Sequence, residues 1–124
     1  MVALMHARVR VSLTFRFANG TTTLDPVSAA NLRLLAHDIR DGVYANREVM
    51  LIGFSDGDGP AGANRDLSVA RALAVESALL GLIGPLPADV RIGTTGFGEA
   101  LPIGCDDTPW GRQMNRRVEV WVGD

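Results

Sequence analysis

Gly53-Phe54-Ser55-Asp56-Gly57-Asp58-Gly59-Pro60-Ala61-Gly62-Ala63-Asn64-Arg65-Asp66-Leu67-Ser68-Val69-Ala70-Arg71-Ala72 is the stretch on which the rest of the chain turns. It follows an apolar run, Val49-Met50-Leu51-Ile52, that reads as a buried strand. Its glycines, Gly53, Gly57, Gly59 and Gly62, suit a loop with unusual backbone angles. A helical pattern takes over near Asn64 or Asp66. The strand therefore runs out into a carboxylate, Asp56, and the helix carries a guanidinium, Arg71. Asp56 can take a cation and Arg71 a carboxylate, so one zwitterionic ligand can satisfy both.

The flanking sequence supplies the frame. Residues 1–8 read as a flexible tail, and residues 9–124 as a single domain. Val9, Val11, Leu13, Phe15 and Phe17 alternate with polar residues, which predicts a half-buried strand. Asn19-Gly20 marks a turn. Asp25-Pro26 reads as an N-cap followed by proline at the first helical position. That helix is expected to run to about Asp41 with Gly42 closing it, and its apolar stripe is Ala29, Leu32, Leu35, Ala36 and Ile39. Residues 48–54 form the second strand, whose unbroken apolar run suits a central position. The second helix reaches about Leu82, with Ser68, Ala72, Val75, Leu79 and Leu82 on one face, and Gly84-Pro85-Leu86-Pro87 stops it. Residues 89–97 and 117–122 give the third and fourth strands, separated by a loop over 102–112 with a helical turn after Thr108-Pro109. The order β-α-β-α-β-β implies a two-layer α/β (α+β) sandwich. Alternation in the first and last strands fits a sheet with one exposed face.

Composition narrows the function. Apolar residues make up 47% of 124, enough for one core. A net charge of −2 argues against a nucleic-acid footprint. Every basic residue is Arg, which suits bidentate carboxylate contacts and equally a coding bias. Cys105 stands alone, so no disulfide forms within the chain. No run approaches the ~20 apolar residues of a membrane span, so no membrane insertion by this domain is expected. Residues 1–10 carry no export signal.

Three blocks in order resemble the OmpA-like C-terminal domain, a peptidoglycan-binding family. The first is Gly53-Phe54-Ser55-Asp56, then Asn64, then Leu67-Ser68-Val69-Ala70-Arg71-Ala72. The second is Gly96-Phe97-Gly98-Glu99-Ala100-Leu101-Pro102, and the third Asn115-Arg116-Arg117-Val118-Glu119-Val120. The Gly-Phe-x-Asp form, with Phe54 where the family usually has His, is similar to members fused to periplasmic phosphate-binding-type domains. The resemblance implies a mixed four-stranded sheet in order 1-4-2-3 with helices on one face. It also implies a periplasmic, non-catalytic module that anchors a larger envelope protein, together with that protein's other domains, to the wall. The partner would be the peptidoglycan stem peptide, with Asp56, Arg71, Asn64 and Arg116 around its diaminopimelate.

Read without the resemblance, each of these residues has a plainer role. Asp56 can cap a turn, and Asn64 can cap the helix. Arg71 can pair on the surface with Glu76 or Asp66, or with Asp56 at the edge of the buried stripe. Arg117 can belong to a surface or a structural pair, and Phe97 to the core. The rival function is a protein–protein interaction or dimerisation domain that has lost the wall ligand, and apolar Phe54 is its best support. No catalytic constellation emerges: His6 lies in the tail, and His37 lies far along the chain from Cys105. Asp56-x-Asp58-Gly59 opens like a calcium loop, but position 67 is Leu where an acidic ligand belongs. No metal and no cofactor is expected.

Overall fold

The computed structural model describes residues 9–17, 22–54, 61–96 and 117–123. The expected tail, the Asn19-Gly20 turn, the glycine loop with Asp56, the 102–112 loop with Cys105, and the strand-end residues Phe97 and Arg116 lie outside the described residues. The elements are β1 (Val9–Arg16), α1 (Pro26–Arg40), β2 (Glu48–Phe54), α2 (Ala61–Ile83), β3 (Arg91–Gly96) and β4 (Arg117–Gly123). They form two helices and one four-stranded sheet in the order β1-β4-β2-β3. β4 runs antiparallel to β1 and β2, and β3 is parallel to β2. The sheet is mixed, as expected from the resemblance.

Local chemistry explains the boundaries. Asp25 caps α1 by accepting from the Ser28 amide at 2.7 Å, and Pro26 sits in the first turn, where its missing N–H is not needed. Gly42 closes the helix at φ +83°, the left-handed conformation that glycine adopts without cost. α1 is tied to β1 by two further contacts. The Arg16 amide donates to the Ser28 hydroxyl at 2.7 Å, and Asn31 donates to the Thr14 carbonyl at 3.2 Å. These bonds turn Ser28, not Ala29, into the buried member of the stripe; Ala29 is only half-buried.

β1 contains an irregularity. Val11 faces Val120, yet Thr14 faces Glu119, so β1 carries two extra residues. An even insertion keeps the alternation in phase. Phe15 and Phe17 are therefore buried, and Val11 and Leu13 pack against the same core.

α2 starts at Ala61, earlier than Asn64, because alanines directly after Pro60 favour helix over the loop that Gly62 suggests. Its buried side chains are Ser68, Arg71, Ala72, Val75, Leu79 and Ile83. Leu82 is exposed and Ile83 enters the core in its place, four residues after Leu79 rather than three. β3 begins at Arg91, two residues later than expected, and the expected last residue, Phe97, lies outside the described residues.

The core lies between helices and sheet, with Phe15, Leu32, Leu35, Ile39, Val49 and Leu51 among its members. Each such side chain contributes roughly 1.5–3 kcal/mol by leaving water. The sheet's other face departs from expectation. In β4, Arg117 and Glu119 are buried along with Val118 and Val120, so alternation there does not mark an exposed face.

Candidate functional site

Two glycines set the site's position. Gly53 and Gly96 are register partners at the ends of β2 and β3. A Cβ on Gly53 would collide with the Ser68 carbonyl, and one on Gly96 would lie 2.5 Å from the Ser68 hydroxyl oxygen and the Val69 nitrogen. α2 therefore rests directly on the sheet at this point, a distance no other residue allows. Ser68 is fully buried there, its hydroxyl donating to the Arg65 carbonyl at 2.7 Å. One helical turn further on, Arg71 emerges from the same buried stripe.

Arg71 is not a surface residue. Its exposure is 0%, and its guanidinium carbon lies 5.3 Å from the centroid of the Phe17 ring. A cation over an aromatic face is stabilised by the ring's quadrupole, more strongly once water is excluded. Arg71 and Arg117 are the two largest fully buried side chains among the described residues. Surface pairing of Arg71 with Glu76 or Asp66 is thereby corrected: the helix presents this residue inward, beside Ser68 and Ala72.

Of the other expected site residues, Asn64 falls inside the first turn of α2, so it is not the residue that caps the helix. Its side chain, like Asp56 and Arg116, lies outside the described residues. Chain connectivity still brings the strand ends together. Phe54, two residues before Asp56, pairs in register with Arg117, the residue after Arg116. Arg71 reaches the same end of the sheet through Phe17, which directly follows β1.

Sequence reasoning missed the far-face ladder. The Arg117 guanidinium carbon sits 4.2 Å from the Phe54 ring centroid. Its Nε donates to Glu119 Oε2 at 2.7 Å, and the Trp121 indole donates to Glu119 Oε1 at 3.1 Å. Phe54 is 1% exposed. Its apolar character is thus accounted for by packing under Arg117, which removes it as support for a surface that binds another protein. The i, i+2, i+4 spacing of Arg117, Glu119 and Trp121 was the available signal, since residues so spaced share one face of a strand.

Among the described residues, no three potential metal ligands converge, and no helix is long and apolar enough to cross a membrane. His37 sits exposed near Asp41, 3.3 Å away, at the end of α1.

Comparison with known proteins agrees with this architecture. The chain is 34% identical over 114 residues to outer membrane porin F of Pseudomonas fluorescens, covering 92% of this chain and 33% of the porin. It is 33% identical over 108 residues to the peptidoglycan-binding protein ArfA of Mycobacterium tuberculosis H37Rv, covering 86% of this chain and 31% of that protein. The chain spans less than half the length of the curated relatives it matches. In fold it is similar to the peptidoglycan-associated lipoprotein from Burkholderia pseudomallei, with a TM-score of 0.77 at 21% identity and 90% of each chain covered. The OmpA family model matches residues 16–116, and with the sheet order and helix placement above, the chain belongs to the OmpA family.

Proposed function

We propose that this domain is a non-catalytic peptidoglycan-binding module of the periplasm that anchors a larger cell-envelope protein to the wall. It grips the free end of diaminopimelate in the stem peptide. Asp56 takes the ammonium and Arg71 the carboxylate, while Asn64 and Arg116 complete the polar surround. The observation that carries this reading is Arg71, a guanidinium fixed on an aromatic face at the spot where two glycines let α2 meet the sheet. The mycobacterial relative's name supports the ligand class. The Gly53-Phe54-Ser55-Asp56 stretch further supports a parent protein of the kind fused to phosphate-binding-type domains.

Full burial of Arg71 has an energetic consequence. A ligand carboxylate reaches the guanidinium only by replacing a group that now covers it. Binding is then an exchange of partners, and only the surplus appears as affinity. Each charge-assisted contact is worth about 1.5–3 kcal/mol. After ordering costs, a Kd in roughly the micromolar to millimolar range follows.

Co-sedimentation with purified sacculi tests the assignment. The wild type should pellet with diaminopimelate-type walls, and Arg71→Ala and Asp56→Asn should stay largely in the supernatant. A folded wild-type protein that never pellets would instead favour a protein-partner or dimerisation role.

A further inference from the structure

β1 and β3 are the two edges of the sheet, and they are built differently. The register of β1 on β4 breaks between Val11 and Thr14, and Phe17 just beyond β1 is bridged to Leu24. Such a broken edge resists further pairing. β3 pairs with β2 without a break from Arg91 to Gly96. It holds no proline, and its one charge is Arg91 at the start. Among the described residues, no strand lies on its other side. The Arg91 amide donates to the Arg47 carbonyl at 3.2 Å, so strand alternation turns the Ile92 and Thr94 amides outward.

An apolar ridge of α2 runs beside that edge. A Cβ on Gly96 of β3 would lie 2.8 Å from Val69 Cγ2, so the Val69 flank of α2 faces this edge, away from α1, which lies over β1. Leu73 and Leu80 follow Val69 at the i+4 and i+11 positions, on the same flank. They are 47% and 36% exposed. We propose that this edge and ridge form the interface of a two-fold homodimer. In it β3 pairs antiparallel with β3 of a second copy, and α2 packs on α2 of that copy. The proposal does not depend on the wall-binding reading and is compatible with it.

Spacing selects a second copy as the occupant. Ser68 lies against both Gly53 and Gly96, so α2 sits over the gap between β2 and β3. Paired strands lie about 4.8 Å apart. A two-fold axis beside β3 is therefore about one strand spacing from the α2 axis. The two copies of α2 come to about 10 Å from each other, a distance at which helices pack.

Position along the helix agrees. α2 joins two parallel strands, so it runs back antiparallel to them. From Gly96 to Gly93 the strand rises about 10 Å, which α2 covers in roughly seven residues. The middle of β3 is thus level with Val75, between Leu73 and Leu80. The symmetry sets Leu73 near Leu80 of the partner subunit, and the ridge is complementary to itself, as a two-fold interface requires. Glu76 lies half-buried on the same flank between the leucines. The axis brings its two copies together, and their repulsion keeps the association weak. Val27 and Leu34 on α1 are also exposed, but α1 lies over the broken edge.

Sedimentation velocity over a concentration series tests the dimer. The wild type should associate with a Kd in roughly the micromolar range. Leu73→Glu with Leu80→Glu changes exposed side chains and leaves the core intact; it should weaken association by about tenfold or more. Thr94→Pro removes an outward amide and should weaken it likewise; the leucine pair decides alone if this variant does not fold. Glu76→Gln should tighten the dimer, and Leu34→Glu on α1 should leave it unchanged. A wild type that stays monomeric at about 1 mM overturns the proposal. So does a dimer that survives loss of both leucines or of the Thr94 amide, one that Glu76→Gln does not tighten, or one that Leu34→Glu abolishes.

Discussion

On the helix side of the sheet, Val49, Leu51, Val118, Val120 and Val122 meet α1 and α2 in an apolar core. On the opposite side, the same two central strands bury Ile52 and Phe54 beside Arg117 and Glu119. The far face is less completely buried, with Met50 and Trp121 partly exposed, and the chemistry that holds the two faces differs. The first is held by apolar area removed from water, which tolerates exchange among residues of similar volume. The second is held by directional contacts between a cation, a ring and a carboxylate, where removing one partner alone is costly. The contrast suits a binding protein: an adaptable core carries the fold, and a directional layer adjoins the ends of β2 and β4, where ligand residues are proposed.

The comparison breaks most severely where backbone meets backbone. Gly53→Ala puts a methyl into the Ser68 carbonyl, and no rotamer relieves that clash. It should destabilise the domain by about 4 kcal/mol or more, seen in chemical denaturation. A near-neutral result would mean that α2 does not rest on β2 as described.

Glu119→Ala comes next. It removes the carboxylate that holds Arg117 and the acceptor used by Trp121. Breaking one side of a buried pair costs about 3 kcal/mol. If urea unfolding shifts by less than about 0.5 kcal/mol, the ladder is not the buried layer described.

Phe54→His sharpens the contrast through pH. A buried imidazole under the Arg117 guanidinium is held below its ordinary pKa of ~6.5, because both burial and the cation disfavour the charged form. The unfolded chain then binds more protons than the folded one, so the variant loses stability as pH falls through about 6.5. At pH 8 its deficit should be about 1 kcal/mol, since a neutral imidazole packs less well than phenyl. Thermal melts from pH 8 to pH 5 should diverge from the wild type progressively. Parallel curves would place the residue in solvent.

Asp25→Ala is the smallest of these effects. It removes the 2.7 Å cap on the Ser28 amide and should cost about 1 kcal/mol, with both faces of the sheet otherwise unchanged.

Much of this was legible in the sequence, for physical reasons. Asp25-Pro26 and Gly42 bracket α1 because capping and left-handed geometry are local demands. β2 was bounded correctly at residues 48–54 because a central strand buried on both faces reads as one apolar run. β4 was bounded well but its environment was misread. Alternation reports which residues share a face, and says nothing of what covers it. Arg117 and Glu119 are charged, so they read as solvent-facing, whereas both are buried and paired in the interior. Arg71 was recognised as a candidate by its motif, but its full burial was not readable. Its stacking partner Phe17 is distant in sequence and close only through the fold. The start of α2 was misplaced because Gly62 mimics loop composition, while the alanines around it have high helix propensity.

The central claim is that Arg71 receives the side-chain carboxylate of diaminopimelate. The direct measurement is calorimetric titration of wild type and Arg71→Ala with two stem peptides, one carrying diaminopimelate and the other lysine, which lacks that carboxylate. The wild type should prefer the diaminopimelate stem by roughly ten- to hundredfold, corresponding to one charge-assisted contact of about 1.5–3 kcal/mol. Arg71→Ala should bind the diaminopimelate stem more weakly and lose most of the preference. Equal binding of both stems by the folded wild type, or a preference that survives Arg71→Ala, would contradict the claim.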